Sequence, residues 1–171
     1  MGPLTAYASP ENSVSAELVP ASPSVLRVEI FRLPHAPADL PFYATPGAAG
    51  MDLRAAIDAP ITLNPLERRL IPTGWILLLP AGYEAQVRPR SGLSIKHGIS
   101  LANCVGTIDS DYRDELKVPL INLSQEAYTL QPGERVAQLI VAPVIQVQWQ
   151  PVEAVSSVEG RSGGFGSTGL L

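Results

Sequence analysis

The chain has 171 residues, the length of one domain with a modest surplus, and its 46 % hydrophobic content is enough to build a sizeable core. Its formal net charge of -4 argues against an extended surface for nucleic acid. The longest apolar stretch, residues 75–79, is far shorter than the roughly 18 residues that a membrane helix needs. We therefore expect neither a nucleic-acid partner nor a membrane partner.

The single cysteine, Cys104, excludes an intrachain disulfide and a cysteine-based zinc site. The first basic residue is Arg27, so the N-terminal region has neither the positive start of a secretory signal nor the arginine-rich pattern of a transit peptide. These features predict a cytoplasmic protein. Within it, we expect Cys104 to be a small packing residue.

The composition divides the chain into three segments. Residues 1–25 are rich in Ser, Ala and Pro without any helical or strand period, which predicts a flexible extension. Residues 26–158 contain short apolar runs interrupted by proline or glycine, as a β domain with many turns would. Residues 159–171 form a glycine-rich tail.

Strand signals dominate the central segment. They lie in the runs LRVEIFRL, RRLIPTGWILLLPAGYEAQVRPRSG and LKVPLINLSQEAYTLQPGERVAQLIVAPVIQVQW. Both alternating sets of residues within 134–149 are mostly apolar, which predicts a strand buried on both faces and hence a sandwich or barrel. The best helix candidate is the short stretch Ser91–His97, with Ser91 as its N-cap.

The turn at Arg90, Ser91 and Gly92 follows a predicted strand and opens the predicted helix. Free backbone N–H groups and the Ser91 hydroxyl at such a turn suit a phosphate. A serine-capped turn without a ligand explains the same residues, because caps are far commoner than anion sites.

The segment Asn103–Tyr112 reads as a hairpin that bears acids. If Asp109 and Asp111 alternate on a strand they share a face, and a carboxylate facing bound phosphate is a candidate base for activating water. A polar turn with solvated acids is the alternative.

The tail combines a cation, an aromatic ring, hydroxyls and glycines. Backbone amides there can surround phosphate oxygens, Arg161 can neutralise them and Phe165 can stack on a base. A mobile glycine-rich terminus is the competing interpretation. His35 and His97 are too isolated to form a metal or nucleophile site.

Five segments of the chain carry a joint signal: residues 49–56, 88–99, 103–113, 132–140 and 161–169. In this order they resemble the five motifs of the trimeric dUTPase family, bacterial type. Five ordered motifs agree by chance far less often than one does. The resemblance covers about residues 26–169.

The resemblance implies an all-β, jelly-roll-like subunit with at most one short helix, assembled as a homotrimer with shared active sites. It implies hydrolysis of dUTP to dUMP and pyrophosphate, with Mg2+ on the triphosphate, which limits uracil in DNA and supplies dUMP for thymidylate synthesis. Asp109 matches the acid that activates the water attacking the α-phosphorus. Asp52 matches an acid that organises the metal through water, the other metal ligands being phosphates.

The resemblance also implies the substrate contacts. The matched phosphate-binding positions are Arg90, Ser91, Gly92 and Gln138. The positions around the nucleoside are Asn103, Thr107, Ile108, Tyr112 and Lys117, with Asn103 assisting uracil recognition and Tyr112 packing against deoxyribose. The tail positions that close the site are Arg161, Phe165, Gly166, Ser167 and Thr168.

One position departs from the family pattern, and two alternatives share the fold. Asp114 stands where the family usually has glycine, and aspartate is one of the few residues that tolerate a positive φ there. A dCTP deaminase, including its bifunctional form, is the enzymatic alternative. A regulatory binding protein without catalysis is the non-enzymatic one.

Overall fold

The computed structural model describes residues 25–155, and within that range strands predominate. The strands are β1 (Glu29–Arg32), β2 (Met51–Arg54), β3 (Ile61–Leu63), β4 (Arg68–Pro72), β5 (Trp75–Leu78), β6 (Tyr83–Pro89), β7 (Ile99–Leu101), β8 (Gly106–Ile108), β9 (Lys117–Asn122), β10 (Tyr128–Leu130) and β11 (Arg135–Pro143). The helix α1 covers Ser91–His97. The predicted all-β class with at most one short helix is confirmed for the described residues.

Every strand pair is antiparallel, and the strands form four sheets. The largest has the order β2-β11-β6-β8, and a three-stranded sheet has the order β4-β9-β7. Two further pairs are β1-β5 and β3-β10. The predicted boundaries of the β domain, 26 and 158, stay a prediction.

The core lies between these sheets and consists of aliphatic side chains. Two polar residues, Thr73 and Asn122, are buried with it. Thr73 Oγ1 donates to the carbonyl of Leu116 (2.6 Å), and Asn122 Nδ2 donates to the carbonyl of Leu63 (2.9 Å). Buried polar groups cost little when they are paired in this way. The fully buried aliphatic residues include Leu53, Leu63, Ile71, Val118, Leu120, Leu130 and Val136.

The central strand β11 is buried on both faces only in part. Val136 and Ala137 are consecutive buried residues, while Arg135 and Gln138 on either side of them are exposed. A register shift between Arg135 and Ala137 explains this pattern, because a bulge interrupts the two-residue alternation. The expectation of full two-sided burial is therefore wrong at Arg135 and Gln138, and the strand ends at residue 143.

The helix α1 has the predicted bounds but a different N-cap. Arg90 is the N-cap, in extended conformation, and no side chain donates or accepts a capping hydrogen bond. The prediction that Ser91 caps the helix is wrong, because Ser91 already belongs to the first turn. No helix among residues 25–155 is long and apolar enough to cross a membrane.

The predicted hairpin around residues 103–112 is also different in the structure. The strands β7 and β8 flank its first loop but lie in separate sheets, pairing with β9 and β6 respectively. Cys104 lies in that loop with a φ of 63° and is exposed, so its predicted role as a packing residue is wrong in this chain. The loop carries backbone around a corner between two sheets.

Candidate active site

The polar residues of the largest sheet form the first part of the site. Asp52 on β2, Gln138 on β11 and Arg88 on β6 are Cα partners across three neighbouring strands. Partners in an antiparallel sheet lie on the same face. Arg90, two residues beyond Arg88, returns to the same side at the end of β6.

Two arginines hold the carboxylate of Asp52. Arg90 Nε lies 3.1 Å from Asp52 Oδ1, and Arg135 Nη1 lies 3.2 Å from Asp52 Oδ2. Arg90 Nη1 also donates to the carbonyl of Arg135 (3.2 Å). With two cations on one carboxylate, the group keeps a net positive charge, as an anion site requires. We call Asp52, Arg90, Arg135 and Gln138 the phosphate cluster.

The start of α1 continues the phosphate cluster. Ser91 and Gly92 are exposed in the first helical turn, directly after Arg90. A Cβ added at Gly92 would meet no atom within 4 Å, so the backbone there faces open space. Amides in the first turn have no partner within the helix and are free to donate. The structure therefore brings Asp52, Arg90, Ser91, Gly92 and Gln138 together, and their binding of phosphate and metal stays a prediction.

The second part of the site is the loop after β8. Thr107 and Ile108 belong to β8, and exposed Asp109 follows the strand directly. Tyr112 N donates to the carbonyl of Asp109 (3.2 Å) across a turn at Ser110 and Asp111. The prediction that Asp109 and Asp111 alternate on one strand face is wrong, because the strand ends before either residue.

A cavity of about 700 Å3 opens beside Asp109. Thr107 and Asp111 also line this cavity, whereas Asn103, Ile108, Tyr112 and Lys117 do not. Its lining residues are Ala81, Gly82, Tyr83, Glu84, Thr107, Asp109, Ser110, Asp111, Val144 and Gln146. Asp109 is therefore a carboxylate at a large polar opening.

Tyr112 is held at the far end of the same loop. Its hydroxyl donates to the carbonyl of Glu115 (3.1 Å), and 38 % of the residue is exposed. Burial, together with the charges of Asp114 and Glu115, raises the pKa of Tyr112, which keeps the hydroxyl protonated. Among the described non-glycine residues only Leu66 and Cys104 have a positive φ. Asp114 thus replaces the usual glycine without backbone strain.

Asn103 and Lys117 lie on either side of this loop. Asn103 is exposed, and its Nδ2 lies 3.4 Å from where a Cβ would stand at Gly106, with Val87 Cβ at 3.3 Å. A side chain at position 106 would therefore press first against Val87. Lys117, the first residue of β9, has Nζ 3.7 Å from Glu115 Oε2.

Within one chain the two parts of the site lie far apart. Ile108 pairs with Ala85 near the start of β6, whereas Arg90 follows the end of that strand. Five residues separate Ala85 from Arg90, which is about 16 Å at ~3.3 Å per strand residue. A single chain therefore does not place Asp109 beside the phosphate cluster.

Asp52 is the side chain here that suits a metal held through water. Among residues 25–155 no group of three or more His, Cys, Asp or Glu side chains could hold a metal ion directly. Asp52 Oδ1 is buried and accepts no hydrogen bond, although Arg90 Nε lies within ion-pair distance (3.1 Å). A carboxylate oxygen that still lacks a hydrogen-bond donor, beside an anion site, fits a metal held through water.

Three contact residues were not singled out by the sequence. Arg135 lies within the fourth motif-like segment, three residues before Gln138, and that spacing is the only sequence signal for it. His35 and Glu115 are joined by a 2.7 Å contact across 80 positions, for which no local signal exists. The predicted tail residues Arg161, Phe165, Gly166, Ser167 and Thr168 lie outside the described residues, as does most of the 1–25 extension.

Known proteins match most of this chain. The family model described as dUTPase matches residues 36–169. A curated relative, deoxyuridine 5'-triphosphate nucleotidohydrolase of Finegoldia magna, is 56 % identical over 130 residues, covering 76 % of this chain and 91 % of the relative.

Solved structures agree with the fold. Staphylococcus bacteriophage 80alpha dUTPase with dUPNHPP has a TM-score of 0.75 and 25 % identity, covering 85 % of this chain and 100 % of the phage chain. A mutant dUTPase from phage phi11 of S. aureus, studied for the coordination of a structural Mg(II) ion, has a TM-score of 0.68 at 22 % identity, covering 77 % of this chain and 100 % of its own. The predicted jelly-roll-like fold is confirmed by these likenesses. Because the dUTPase family model matches most of this chain, the chain belongs to the dUTPase family.

Proposed function

We propose that Asp109 activates the water that attacks the α-phosphorus of dUTP, in sites formed between the chains of a homotrimer. Family membership carries the overall reaction: the chain is a dUTP diphosphatase, which converts dUTP to dUMP and pyrophosphate. The role of Asp109 is supported by its exposed carboxylate at the rim of a polar cavity. A carboxylate so placed accepts a proton from water as the new bond to phosphorus forms.

The phosphate cluster supplies the electrostatics of the reaction. Arg90 and Arg135 already lie against Asp52, so little reorganisation is needed when a triphosphate arrives. Gln138 and the first-turn residues Ser91 and Gly92 add neutral donors beside these charges. Together they reduce the repulsion that the attacking water meets and hold the leaving pyrophosphate in line.

Mg2+ on the triphosphate, when bound, neutralises phosphate charge and fixes the conformation of the phosphate chain. The Asp52 carboxylate, whose Oδ1 accepts no hydrogen bond, is the group of this chain that we expect to hold the water shell of the ion. The structural Mg(II) ion of the phi11 dUTPase mutant supports magnesium as the cation of this proposal.

The nucleoside is assigned to β8 and to the loops on either side of it. Backbone groups near Thr107 and Ile108, with Asn103 assisting, read the pairing edge of uracil. Cytosine reverses donors and acceptors there and would leave buried groups unpaired, which is the strongest discrimination a pocket has. Tyr112 packs against the deoxyribose. The tail, from Arg161 to Thr168, closes the site and excludes water.

One observation carries the proposal of a shared site: Ala85, which pairs with Ile108 just before Asp109, lies about 16 Å from Arg90 along β6. Attack of an activated water on a bound phosphate requires contact distances of about 3 Å. A second chain that brings its phosphate cluster to the Asp109 loop removes the discrepancy, and cyclic symmetry repeats the contact at every site.

We place this reaction in the cytoplasm, since the one cysteine of the chain offers no intrachain disulfide.

The role of Asp109 is tested by Asp109→Asn, which keeps the size of the side chain and removes its basicity. We expect pyrophosphate release from dUTP to fall by about 10²- to 10⁴-fold while dUTP binding is retained. Asp58→Asn removes the same charge from an exposed turn and serves as the control. Turnover of Asp109→Asn within twofold of the control contradicts the assignment.

Parallel assays with dCTP, dTTP and UTP test the base and sugar preference, and ammonia release from dCTP would indicate a deaminase.

A further inference from the structure

Glu115 connects the end of the Asp109 loop to a distant part of the chain. Its Oε1 accepts a hydrogen bond from Gly74 N (2.8 Å) and lies 2.7 Å from His35 Nε2. Its Oε2 lies 3.7 Å from Lys117 Nζ. Only 13 % of the side chain is exposed. One carboxylate therefore joins the loop, the turn before β5 and the turn after β1.

The surface that receives Glu115 is rigid. Gly74 has a φ of +78°, and a Cβ there would lie 2.3 Å from the Cα of Ala36, so the two turns are in close backbone contact. Leu33 N donates to the carbonyl of Gly74 (2.9 Å), which fixes the turn that carries His35. A side chain bonded to these two turns is held in place, so Glu115 restrains the loop that it ends.

The two ends of the loop are anchored differently. Asp109 follows β8 directly, and Ile108 of that strand pairs with Ala85. Tyr112 lies outside the strands: its N donates to the carbonyl of Asp109 (3.2 Å), and its hydroxyl donates to the backbone carbonyl of Glu115 (3.1 Å). The position of Asp109 thus depends on β8, whereas the hydroxyl end of the Tyr112 ring depends on the backbone of Glu115.

The backbone that follows Glu115 is also held by hydrogen bonds. Leu116 N donates to the carbonyl of Trp75 (2.8 Å), and Thr73 Oγ1 donates to the carbonyl of Leu116 (2.6 Å). Leu116 N and the Glu115 carbonyl belong to the same peptide unit, so this carbonyl has two restraints: the backbone bond to Trp75 and the anchored carboxylate of Glu115. Loss of the carboxylate removes one of these restraints, which should let the acceptor of the Tyr112 hydroxyl shift without unfolding the loop.

We propose that Glu115, held by His35 and the Gly74 amide, is a positioning residue that fixes Tyr112 for selection of deoxyribose over ribose. The inference rests on the proposed role of Tyr112 in packing against the sugar. A ring free to move away from C2′ leaves room for a 2′-hydroxyl, so UTP becomes a better substrate. Chemistry at Asp109 changes less, since β8 is untouched.

The test compares the ratio of kcat/KM for dUTP to kcat/KM for UTP in Glu115→Ala and Glu115→Gln. We expect Glu115→Ala to lower the ratio by about fivefold to tenfold, the effect of misplacing the ring when its backbone acceptor loses one restraint, with kcat for dUTP reduced less. Glu115→Gln retains an acceptor for Gly74 N but loses the charge beside His35, so its ratio lies between wild type and Glu115→Ala.

Glu67→Ala is the matched control. Glu67 also accepts a hydrogen bond from a turn amide, Asn64 N (2.9 Å), and also pairs with a cation, Arg69 (2.7 Å), but it lies in the turn between β3 and β4. A merely structural carboxylate would lower thermal stability in both variants without changing the dUTP to UTP ratio. We expect the ratio to change only at Glu115.

Tyr112→Ala separates the inference from the proposed function. If Tyr112→Ala lowers the ratio and neither Glu115 variant does, the positioning role of Glu115 is wrong and the sugar assignment stands. If Tyr112→Ala leaves the ratio unchanged, the sugar assignment is wrong and the inference falls with it. If Glu115→Ala does not fold, the ratio of Glu115→Gln against wild type decides.

Discussion

At the scale of single residues, Glu115 concentrates opposing electrostatic effects in one carboxylate. Burial alone would raise its pKa, but the hydrogen bonds from His35 and Gly74 N and the charges of His35 and Lys117 outweigh burial, so the pKa lies below its usual value of 4.5. A group with a lowered folded pKa stabilises the folded state above its unfolded pKa. That stabilisation is lost as pH falls through the lowered value.

This sign gives a pH prediction for stability. We expect Glu115→Gln to reduce the free energy of unfolding by about 1.5–3 kcal/mol at pH 7, the range for hydrogen bonds to a charged group. The difference from wild type should shrink as the pH falls from about 5 through the lowered pKa, because protonated Glu115 resembles glutamine. Urea unfolding at a series of pH values and one fixed protein concentration measures it.

Glu67→Gln again provides the comparison. The hydrogen bond from the Asn64 amide, with Arg69 beside it, lowers the pKa of Glu67, but 24 % of this side chain is exposed, against 13 % for Glu115, so solvent screens its charge more strongly. We expect a smaller pH-dependent loss than at Glu115. A Glu115→Gln deficit that stays constant down to about pH 3 would show that its charge contributes nothing.

At the scale of elements, α1 depends on how it ends. Gly98 is the C-cap in the left-handed region, with a φ of 66°, and its N–H bonds to the carbonyl of Ser94 (3.0 Å). A Cβ at Gly98 would lie 2.7 Å from Ser124 Cβ and 2.8 Å from Ser124 N. The helix that presents Ser91 and Gly92 is therefore packed closely against the turn after β9.

We predict that Gly98→Ala destabilises the protein more than Gly133→Ala. Both glycines have a positive φ, 66° and 73°, so both substitutions carry backbone strain of about 1–3 kcal/mol. Only Gly98→Ala adds a collision with backbone, since a Cβ at Gly133 meets nothing within 4 Å. Thermal melts of both variants measure the difference, and equal shifts would mean that the Ser124 turn moves freely.

Some features of α1 and β11 could be predicted from the sequence and others could not. The bounds of α1 were predictable because a strand-like run ends in Arg90-Ser91-Gly92 and Gly98 closes the helix. The N-cap was not, since it depends on the extended backbone of Arg90. The bulge in β11 escaped prediction for a similar reason: one unpaired residue reverses the alternation that a pattern of period two assumes.

The motifs predicted which residues lie near one another better than they predicted the contacts. Asp52, Arg90 and Gln138 lie in separate motif-like segments, and the resemblance implied that all three serve one active site, Asp52 toward the metal and the other two toward phosphate. Arg135 joins them only because the bulge turns it to the same side as Gln138. The contact between His35 and Glu115 depends on how two turns meet in three dimensions, for which neither residue carries a local signal.

At the scale of the whole molecule, β6 separates the two parts of the candidate site. Its first residues lie beside the Asp109 loop and its last residue leads to Arg90, so the two parts lie at opposite ends of one strand. A shared site follows if each chain gives its Asp109 loop to one site and its phosphate cluster to another. Each half would then be useless in isolation.

The measurement that tests this account most directly is complementation between Asp109→Asn and Arg90→Ala. Each variant alone should be inactive. After co-refolding in equal amounts with random mixing, a site receives an intact Asp109 half the time and an intact Arg90 half the time, so about a quarter of wild-type activity returns in a closed symmetric trimer. Verified mixed trimers with no more activity than the two separate variants would contradict the shared site, because a site built within one chain never recovers.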